Sequence, residues 1–155
     1  SLWENQYNQI LSTLKFIDPT SIIPSDWVKE TDSVLGISFY HPANWEYNYT
    51  NHQILDTLRC QETDPCPYIK FSDNYKNIED LKNIVISIEK IKPEDITKST
   101  SLINGYFAES LTYKGFMDFI WEYMMIKSNS GQNLVVHFEN SHEADQILST
   151  LEFTN

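Results

Sequence analysis

Residues whose side chains could bind a metal ion are concentrated in one short stretch late in the chain. His137 and Glu139 lie two residues apart in a predicted strand. His142 and Glu143 follow the turn after that strand. Imidazole nitrogen and carboxylate oxygen atoms suit a divalent metal ion with mixed ligands. These four residues are the candidate metal ligands, and the alternative is that they are solvated polar side chains around a turn.

The motifs of well-known hydrolases are not matched. The segment HEADQ at residues 142–146 begins like the zinc-protease helix motif, but Gln146 stands where that motif needs its second histidine. No serine lies in a nucleophile-elbow sequence. We therefore predict that the chain is not an enzyme. A hydrolase that uses an unrecognised site is the alternative.

Acidic and amide side chains between residues 73 and 80 suggest a calcium loop. Ile78 and Ile84 stand where an EF-hand needs its sixth-position glycine and its twelfth-position glutamate, so an EF-hand is excluded. A looser site for calcium or another divalent metal stays open, and no other cofactor is predicted. Its oxygen ligands would come from Asp73, Asn74, Asn77, Glu79 and Asp80.

Cys60 and Cys66 enclose a short acidic segment that contains a proline. A disulfide across so short a loop would stabilise the fold by about 2 kcal/mol through the entropy of the unfolded chain. The alternative is two unpaired thiols, since two cysteines alone make a poor structural zinc site. A disulfide would favour an oxidising compartment.

Four tryptophans could stack on a sugar or anchor a protein partner. Trp45 and Trp121 lie in predicted strands, where we expect them to be buried. Trp27 lies in a predicted linker. It is therefore the candidate for an exposed aromatic contact.

The charge of the chain limits its partners. The formal net charge is −11, from 22 acidic and 11 basic residues, and Arg59 is the only arginine. Nucleic-acid binding relies on lysine and arginine to neutralise phosphates, so nucleic acid is excluded as a partner. Anionic membrane surfaces are disfavoured for the same reason. No run of eighteen apolar residues occurs, so we expect no membrane insertion by this segment.

An eight-residue motif occurs twice in the chain. QILSTLKF at residues 9–16 recurs as QILSTLEF at residues 146–153, with seven of eight positions identical. The offset of 137 residues is the size of a domain. Residues 1–18 are therefore predicted to be the closing helix of a preceding repeat, or alternatively an N-terminal helix that packs on the sheet. Residues 19–32 are the predicted linker, and residues 33–155 are the predicted domain.

The pattern of strands and helices predicts an α+β fold. Residues 119–126 and 133–138 flank the turn sequence SNSG and indicate a hairpin. Ser141 is the predicted N-cap of a final helix, whose apolar positions lie at helical spacing. Runs of strands with helices at the ends predict a central antiparallel β-sheet covered by helices. Further strands are predicted at residues 37–40, 45–49, 68–71 and 84–88.

Three segments resemble the PsbP-like domain family, in particular its secreted and lipoprotein-type bacterial members. GISFYHPANW at residues 36–45 resembles the opening strand and turn of that family, and DQILSTLEF at residues 145–153 resembles its final helix. NGYFA at residues 104–108 is similar to a strand in the middle of the domain. The resemblance implies an α/β/α sandwich in an extracytoplasmic protein, either secreted or anchored at the cell surface. It implies no catalytic residue.

These observations favour a non-enzymatic extracytoplasmic binding module, one of several tandem copies in a larger surface protein. The partner would be a protein or a component of the cell envelope. Tandem copies raise avidity, which supports a binding role. The alternatives are a small domain that binds a ligand or a divalent metal, and the hydrolase considered above. A concave pocket where histidine and acidic groups converge would favour the alternatives.

Overall fold

Strands dominate the part of the chain that the structure describes. The computed structural model describes residues 23–62, 66–115 and 118–154. Its strands are β1 Trp27–Asp32, β2 Ile37–Pro42, β3 Trp45–Asn48, β4 Gln53–Asp56, β5 Tyr68–Ser72, β6 Thr97–Ile103, β7 Tyr106–Lys114, β8 Ile120–Lys127, β9 Asn133–Glu139 and β10 Glu152–Phe153. Its helices are α1 Arg59–Glu62, α2 Ile78–Glu89 and α3 His142–Ser149, with a 3₁₀ turn at Pro93–Asp95.

The larger of two sheets has seven strands in the order β3-β4-β5-β9-β8-β7-β6, and all neighbours are antiparallel. The predicted hairpin is confirmed, because β8 pairs with β9 from Trp121 opposite Glu139 to Lys127 opposite Asn133. Asn104 and Gly105 join β6 to β7 with φ angles of 47° and 83°. Two consecutive positive φ angles are what a tight hairpin turn requires.

The smaller sheet has three antiparallel strands in the order β1-β2-β10. Its central strand β2 pairs along its whole length with β1. On its other edge, Ser38 and Ile37 pair with Glu152 and Phe153 of β10. The end of the described chain is thus held beside a strand near its beginning.

Apolar side chains form one core on each face of the large sheet. Successive residues of a strand point to opposite faces, so β9 sends Leu134 and Val136 to one core and Val135 to the other. The larger core contains side chains from β2 and from α3. The smaller core contains Ile78, Leu81 and Val85 of α2. Helices therefore lie on both faces of the sheet.

The predicted antiparallel sheet is confirmed, and the prediction that helices cover it is right only in part. One face carries α2, as expected. The opposite face carries α3 together with the three-stranded sheet, so strands supply much of the cover that was predicted to be helical. The architecture is mostly antiparallel β with a few helices.

The strand predicted at residues 84–88 is wrong, because these residues lie in helix α2. Asn77 begins the helix, and its side-chain oxygen accepts a hydrogen bond from the Asp80 backbone N–H at 2.9 Å. The buried positions Ile78, Leu81 and Val85 follow helical spacing. Asn77 and Asp80, two of the candidate calcium ligands, form the N-cap and first turn of this helix.

The closing helix is confirmed where it was predicted. Ser141 is the N-cap of α3, and its hydroxyl accepts a hydrogen bond from the Ala144 backbone N–H at 3.2 Å. Ala144, Ile147 and Leu148 are buried in the larger core. The first copy of the repeated motif, at residues 9–16, lies outside the described residues.

The second half of the predicted linker is a strand, and this corrects the prediction for Trp27. Residues 27–32 form β1 and pair with all six residues of β2. Trp27 is partly buried against the larger core, so it is not the exposed aromatic contact that was expected. The proline and hydroxyl residues before it suggested a linker, but the cross-strand partners on β2 determine the conformation. Trp45 and Trp121 are buried, as predicted.

A buried aspartate joins the two sheets. Asp32 ends β1, and its side chain is 1% exposed. One carboxylate oxygen accepts hydrogen bonds from the backbone N–H groups of Val34 at 2.9 Å and Leu35 at 3.0 Å. The other oxygen lies 2.6 Å from the Tyr47 hydroxyl and 2.6 Å from Nδ1 of His52. Tyr47 belongs to β3 and His52 to the turn that follows it, so this carboxylate connects the small sheet to the large one.

Asparagine in place of Asp32 should lower the stability of the fold in a pH-dependent way. Burial alone would raise the pKa of Asp32, but hydrogen bonds from Tyr47, the Leu35 backbone and His52 outweigh it and hold the pKa below its usual value. A carboxylate with a lowered pKa stabilises the fold above about pH 4, and this contribution is lost as the pH falls further. We expect Asp32→Asn to cost about 1–3 kcal/mol at pH 7 in urea unfolding.

The difference between wild type and Asp32→Asn should shrink as the pH falls below about 4. Asp26→Asn is the matched control, since Asp26 is exposed and precedes β1. A pH-independent difference, or an equal effect of Asp26→Asn, would contradict the role assigned to Asp32.

Reduction of the disulfide should destabilise the fold. Cys60 and Cys66 are bonded in the structure, with their Cα atoms 4.5 Å apart. The Cys60→Ser, Cys66→Ser double variant should lose about 2 kcal/mol of unfolding free energy, as expected for a loop this short. Dithiothreitol should lower the melting temperature of the wild type to that of the double variant and leave the variant unchanged. A wild-type melting temperature that is insensitive to reduction would count against this bond.

Candidate functional site

His137 lies on β9 among aromatic rings on the face of the large sheet that α2 covers. Its ring is stacked on that of Tyr123, with centroids 3.8 Å apart and planes 3° from parallel. The Trp121 ring lies 5.2 Å away and the Tyr68 ring 5.4 Å away. Register explains this arrangement, because Tyr123 is directly opposite His137 on the neighbouring strand β8. Directly opposed side chains in a sheet are close enough to stack.

Tyrosine hydroxyls contact both ring nitrogens of His137. The Tyr68 hydroxyl lies 3.1 Å from Nδ1, and the Tyr113 hydroxyl lies 3.5 Å from Nε2. Burial, and then the positive charge of Lys70, lower the pKa of His137 to about 4. The ring is therefore neutral at pH 7 and carries one N–H donor and one acceptor nitrogen.

The tyrosine hydroxyls around His137 also remain protonated. Burial raises the pKa of Tyr68 to about 12, and the negative charge of Glu89 adds to this effect. Burial raises the pKa of Tyr113 and Tyr123 further, again with Glu89 nearby. The Tyr123 hydroxyl donates a hydrogen bond to Glu89 at 3.3 Å. The site therefore presents several protonated hydroxyl donors at neutral pH, beside the Glu89 side chain.

A cavity of about 370 Å³ opens beside this group, between the last turn of α2 and strands β5, β8 and β9. Its lining combines aromatic rings, neutral polar groups, one lysine and one carboxylate. The lining residues are Tyr68, Lys70, Ser72, Asn74, Tyr75, Ile88, Glu89, Tyr123, Val135 and His137. A second depression along α2 shares Asn74 and Tyr75 with it, so the two lie side by side.

Of the four candidate metal ligands, Glu139 and Glu143 lie close enough to affect each other, and His137 is contacted by tyrosines instead. Both nitrogens of His137 face tyrosine hydroxyls, because a partly buried imidazole on this face of the sheet needs polar partners. Glu139 has a pKa raised by burial, with Arg59 acting in the opposite sense and the nearby Glu143 adding to the rise. His142 is the exposed first residue of α3. Within the described residues, no group of three or more His, Cys, Asp or Glu side chains could hold a metal ion.

The tyrosines and the carboxylate of the site were not found from the sequence. Tyr68, Lys70 and Ser72 are spaced by two along β5, and Trp121 and Tyr123 are spaced by two along β8. This spacing is the signal that they share one face of the sheet. Glu89 could not be predicted as a site residue. The residues before it were predicted to form a strand, whereas they form the helix α2 that places Glu89 at the cavity.

None of the helices within residues 23–62, 66–115 and 118–154 is both long enough and apolar enough to cross a membrane.

The His137 ring should titrate far below an ordinary histidine. We expect its ring protons to shift with a midpoint near pH 4 in NMR spectra, with His137→Gln used to assign the signals. Since the unfolded chain binds this proton near pH 6.5 and the folded chain does not, His137 should lower the unfolding free energy as the pH falls from 6.5 to about 4. His137→Gln should remove that part of the pH dependence. A midpoint at or above 6.5 would contradict a ring that is neutral at pH 7.

Comparison with known proteins supports the fold. No protein-family model matches the chain, and no curated protein sequence matches it. Among solved structures, the solution structure of cyanobacterial PsbP (CyanoP) from Synechocystis sp. PCC 6803 is similar to it with a TM-score of 0.53 and 12% sequence identity. The similarity covers 90% of this chain and 98% of that one. The chain therefore has a PsbP-like fold.

Proposed function

We propose that this chain is a non-enzymatic binding domain that holds a small, neutral, hydroxyl-rich ligand, a saccharide, in the cavity beside His137. The observation that carries this proposal is the convergence of a neutral histidine, tyrosine hydroxyls and Glu89 on one cavity of about 370 Å³. Sites for small molecules combine apolar and aromatic walls with a few polar groups that fix orientation. The volume also lies in the range of such sites, about 300–1,000 Å³.

The polar groups of the cavity suit hydroxyl ligands. A sugar hydroxyl both donates and accepts hydrogen bonds, and so do the tyrosine hydroxyls and the neutral imidazole of His137. Glu89 adds a carboxylate that accepts only, and Lys70 adds an ammonium group that donates only. One positive and one negative group leave the cavity with little net charge, which favours a neutral ligand over an ion.

The walls of the cavity offer ring faces and apolar surface. Tyr75 and Tyr123 supply rings, and Ile88 and Val135 supply aliphatic side chains. The apolar face of a pyranose ring packs on surfaces of this kind, while its hydroxyls reach the polar groups at the edge. A ligand without an apolar face would use only half of this lining.

The environment we propose is extracytoplasmic, with the saccharide as part of the cell envelope. The Cys60–Cys66 disulfide supports this, because such bonds persist in oxidising compartments. The PsbP-like fold, together with the resemblance to secreted and lipoprotein-type bacterial domains, supports it too. A tandem arrangement of such domains would raise the avidity for a repetitive polysaccharide.

A cell-envelope saccharide should stabilise the folded chain and lose affinity when Glu89 is neutralised. At about one hundred times its dissociation constant, a ligand of the folded state stabilises by about 2.7 kcal/mol. That should raise the melting temperature of a domain this size by about 5–10 °C. We expect one or more neutral mono- or disaccharides from a panel to reach this shift. Glu89→Gln should weaken binding about tenfold, because it removes a charged hydrogen-bond acceptor.

Glu94→Gln is the matched control, because Glu94 is an exposed glutamate in the 3₁₀ turn after α2 and does not line the cavity. Titration by NMR should shift the signals of Tyr123 and His137 with the same dissociation constant as calorimetry gives. Two results would overturn the proposal. One is the absence of any saccharide that stabilises the chain, and the other is an equal loss of affinity in Glu94→Gln.

A further inference from the structure

The second copy of the repeated motif closes the domain by filling a defined surface. We call this surface the β2 slot; it consists of strand β2 with Asn104 and Tyr106. From the motif, Ile147, Leu148 and Leu151 are each at most 1% exposed in the larger core. Helix α3 contacts β2, and β10 extends the small sheet along it.

Polar contacts set the position of the motif in the slot. The Thr150 hydroxyl accepts a hydrogen bond from the Tyr40 backbone N–H at 2.8 Å and donates one to the Ile147 carbonyl at 2.7 Å. The Asn104 side-chain amide donates to the Leu151 carbonyl at 2.9 Å. These bonds involve the last turn of helix α3 and the two residues that join it to β10, so they specify the register of the motif against β2.

The residues that make these contacts are the same in the first copy of the motif. Counting back by 137 residues, the buried positions and the threonine have identical counterparts in residues 9–16. Phe153, whose ring packs 4.9 Å from that of Tyr106, corresponds to Phe16. The one difference is Glu152, which corresponds to Lys15.

The one position that differs between the two copies is exposed, so the change from glutamate to lysine there alters the free energy of binding to the slot only slightly. The Glu152 side chain is 51% exposed and lies 3.9 Å from the ammonium group of Lys29, which is 47% exposed. Lysine at this position would face Lys29 with a like charge. Exposed ion pairs contribute so little that the change alters occupancy by a factor of about two to five.

We propose that the β2 slot is a recognition site for the repeated motif, and that residues 9–16 of a second copy of this chain fill it when the chain's own residues 146–153 are displaced. The chain's own residues 146–153 are covalently attached to the domain that contains the slot. They therefore compete with residues 9–16 of a second copy at an effective concentration on the order of millimolar. At about 0.1 mM protein, the exchanged form should therefore comprise roughly a tenth of the chains or less. The exchange links one chain to the next.

A register-specific disulfide tests this proposal in the full chain. Ser38 pairs with Glu152 in the structure, so Ser38→Cys with Glu152→Cys should form a bond within one chain. Ser38→Cys with Lys15→Cys should form a bond only when the first copy of the motif lies in the slot in the same register. Both variants are refolded from urea at several protein concentrations in an oxidising buffer. Linked peptides are then identified by mass spectrometry.

We expect the bond between positions 15 and 38 in covalent dimers whose yield rises with protein concentration. Leu14→Asp, which places a charge at the counterpart of buried Leu151, should reduce this yield at least tenfold. The single-cysteine variants give the background. A yield equal to that background, or a bond formed only within single chains, would overturn the proposal. Absence of the bond between positions 38 and 152 would contradict the pairing of β10 with β2 and with it the slot itself.

Discussion

Four hydrogen bonds to the buried carboxylate of Asp32 determine where the small sheet lies against the large one. Two of them shape the turn between β1 and β2, and the other two come from β3 and the turn after it. A buried carboxylate is stable only when its oxygens are fully paired. The placement of β2 depends on this contact, and β2 in turn supports β10 and contacts α3. The Asp32 side chain thus helps to position the strand against which β10 and α3 pack.

The opposite face follows a different rule, which is that buried polar groups need polar partners. His137 lies on the strand beside Val135 of the smaller core, and its neighbours are tyrosines whose hydroxyls face its nitrogens. Helix α2 covers this face and ends at Glu89, which lines the cavity together with His137 and Tyr123. The cavity lies where the helix stops. The proposed binding site is therefore a consequence of the length of α2.

Elements with strong local signals could be predicted from the sequence, and elements set by distant contacts could not. The β8–β9 hairpin has a turn sequence between two apolar strands, and α3 has Ser141 as its cap and a clear apolar face. The run at residues 84–88 is rich in isoleucine and valine, and its period is helical only when read with Ile78 and Leu81. Strand β1 has no pattern of its own and is held by β2. Of the candidate site, His137 was singled out from the sequence but the tyrosines and Glu89 around it were not, because they come from β5, α2, β7 and β8 and meet it only in the folded chain.

The order of the two motif copies has a consequence during synthesis. Tyr106, the last residue of the β2 slot to be made, precedes the start of β10 at Glu152 by about 46 residues. At about 5–20 residues per second, a nascent chain therefore carries an unfilled β2 slot for about 2–9 seconds. The copy of the motif at residues 9–16 is made before any part of the slot. On a polysome, where several nascent chains are held close together, the vacant slot of one chain is exposed to the finished motif of its neighbour before its own closing segment exists.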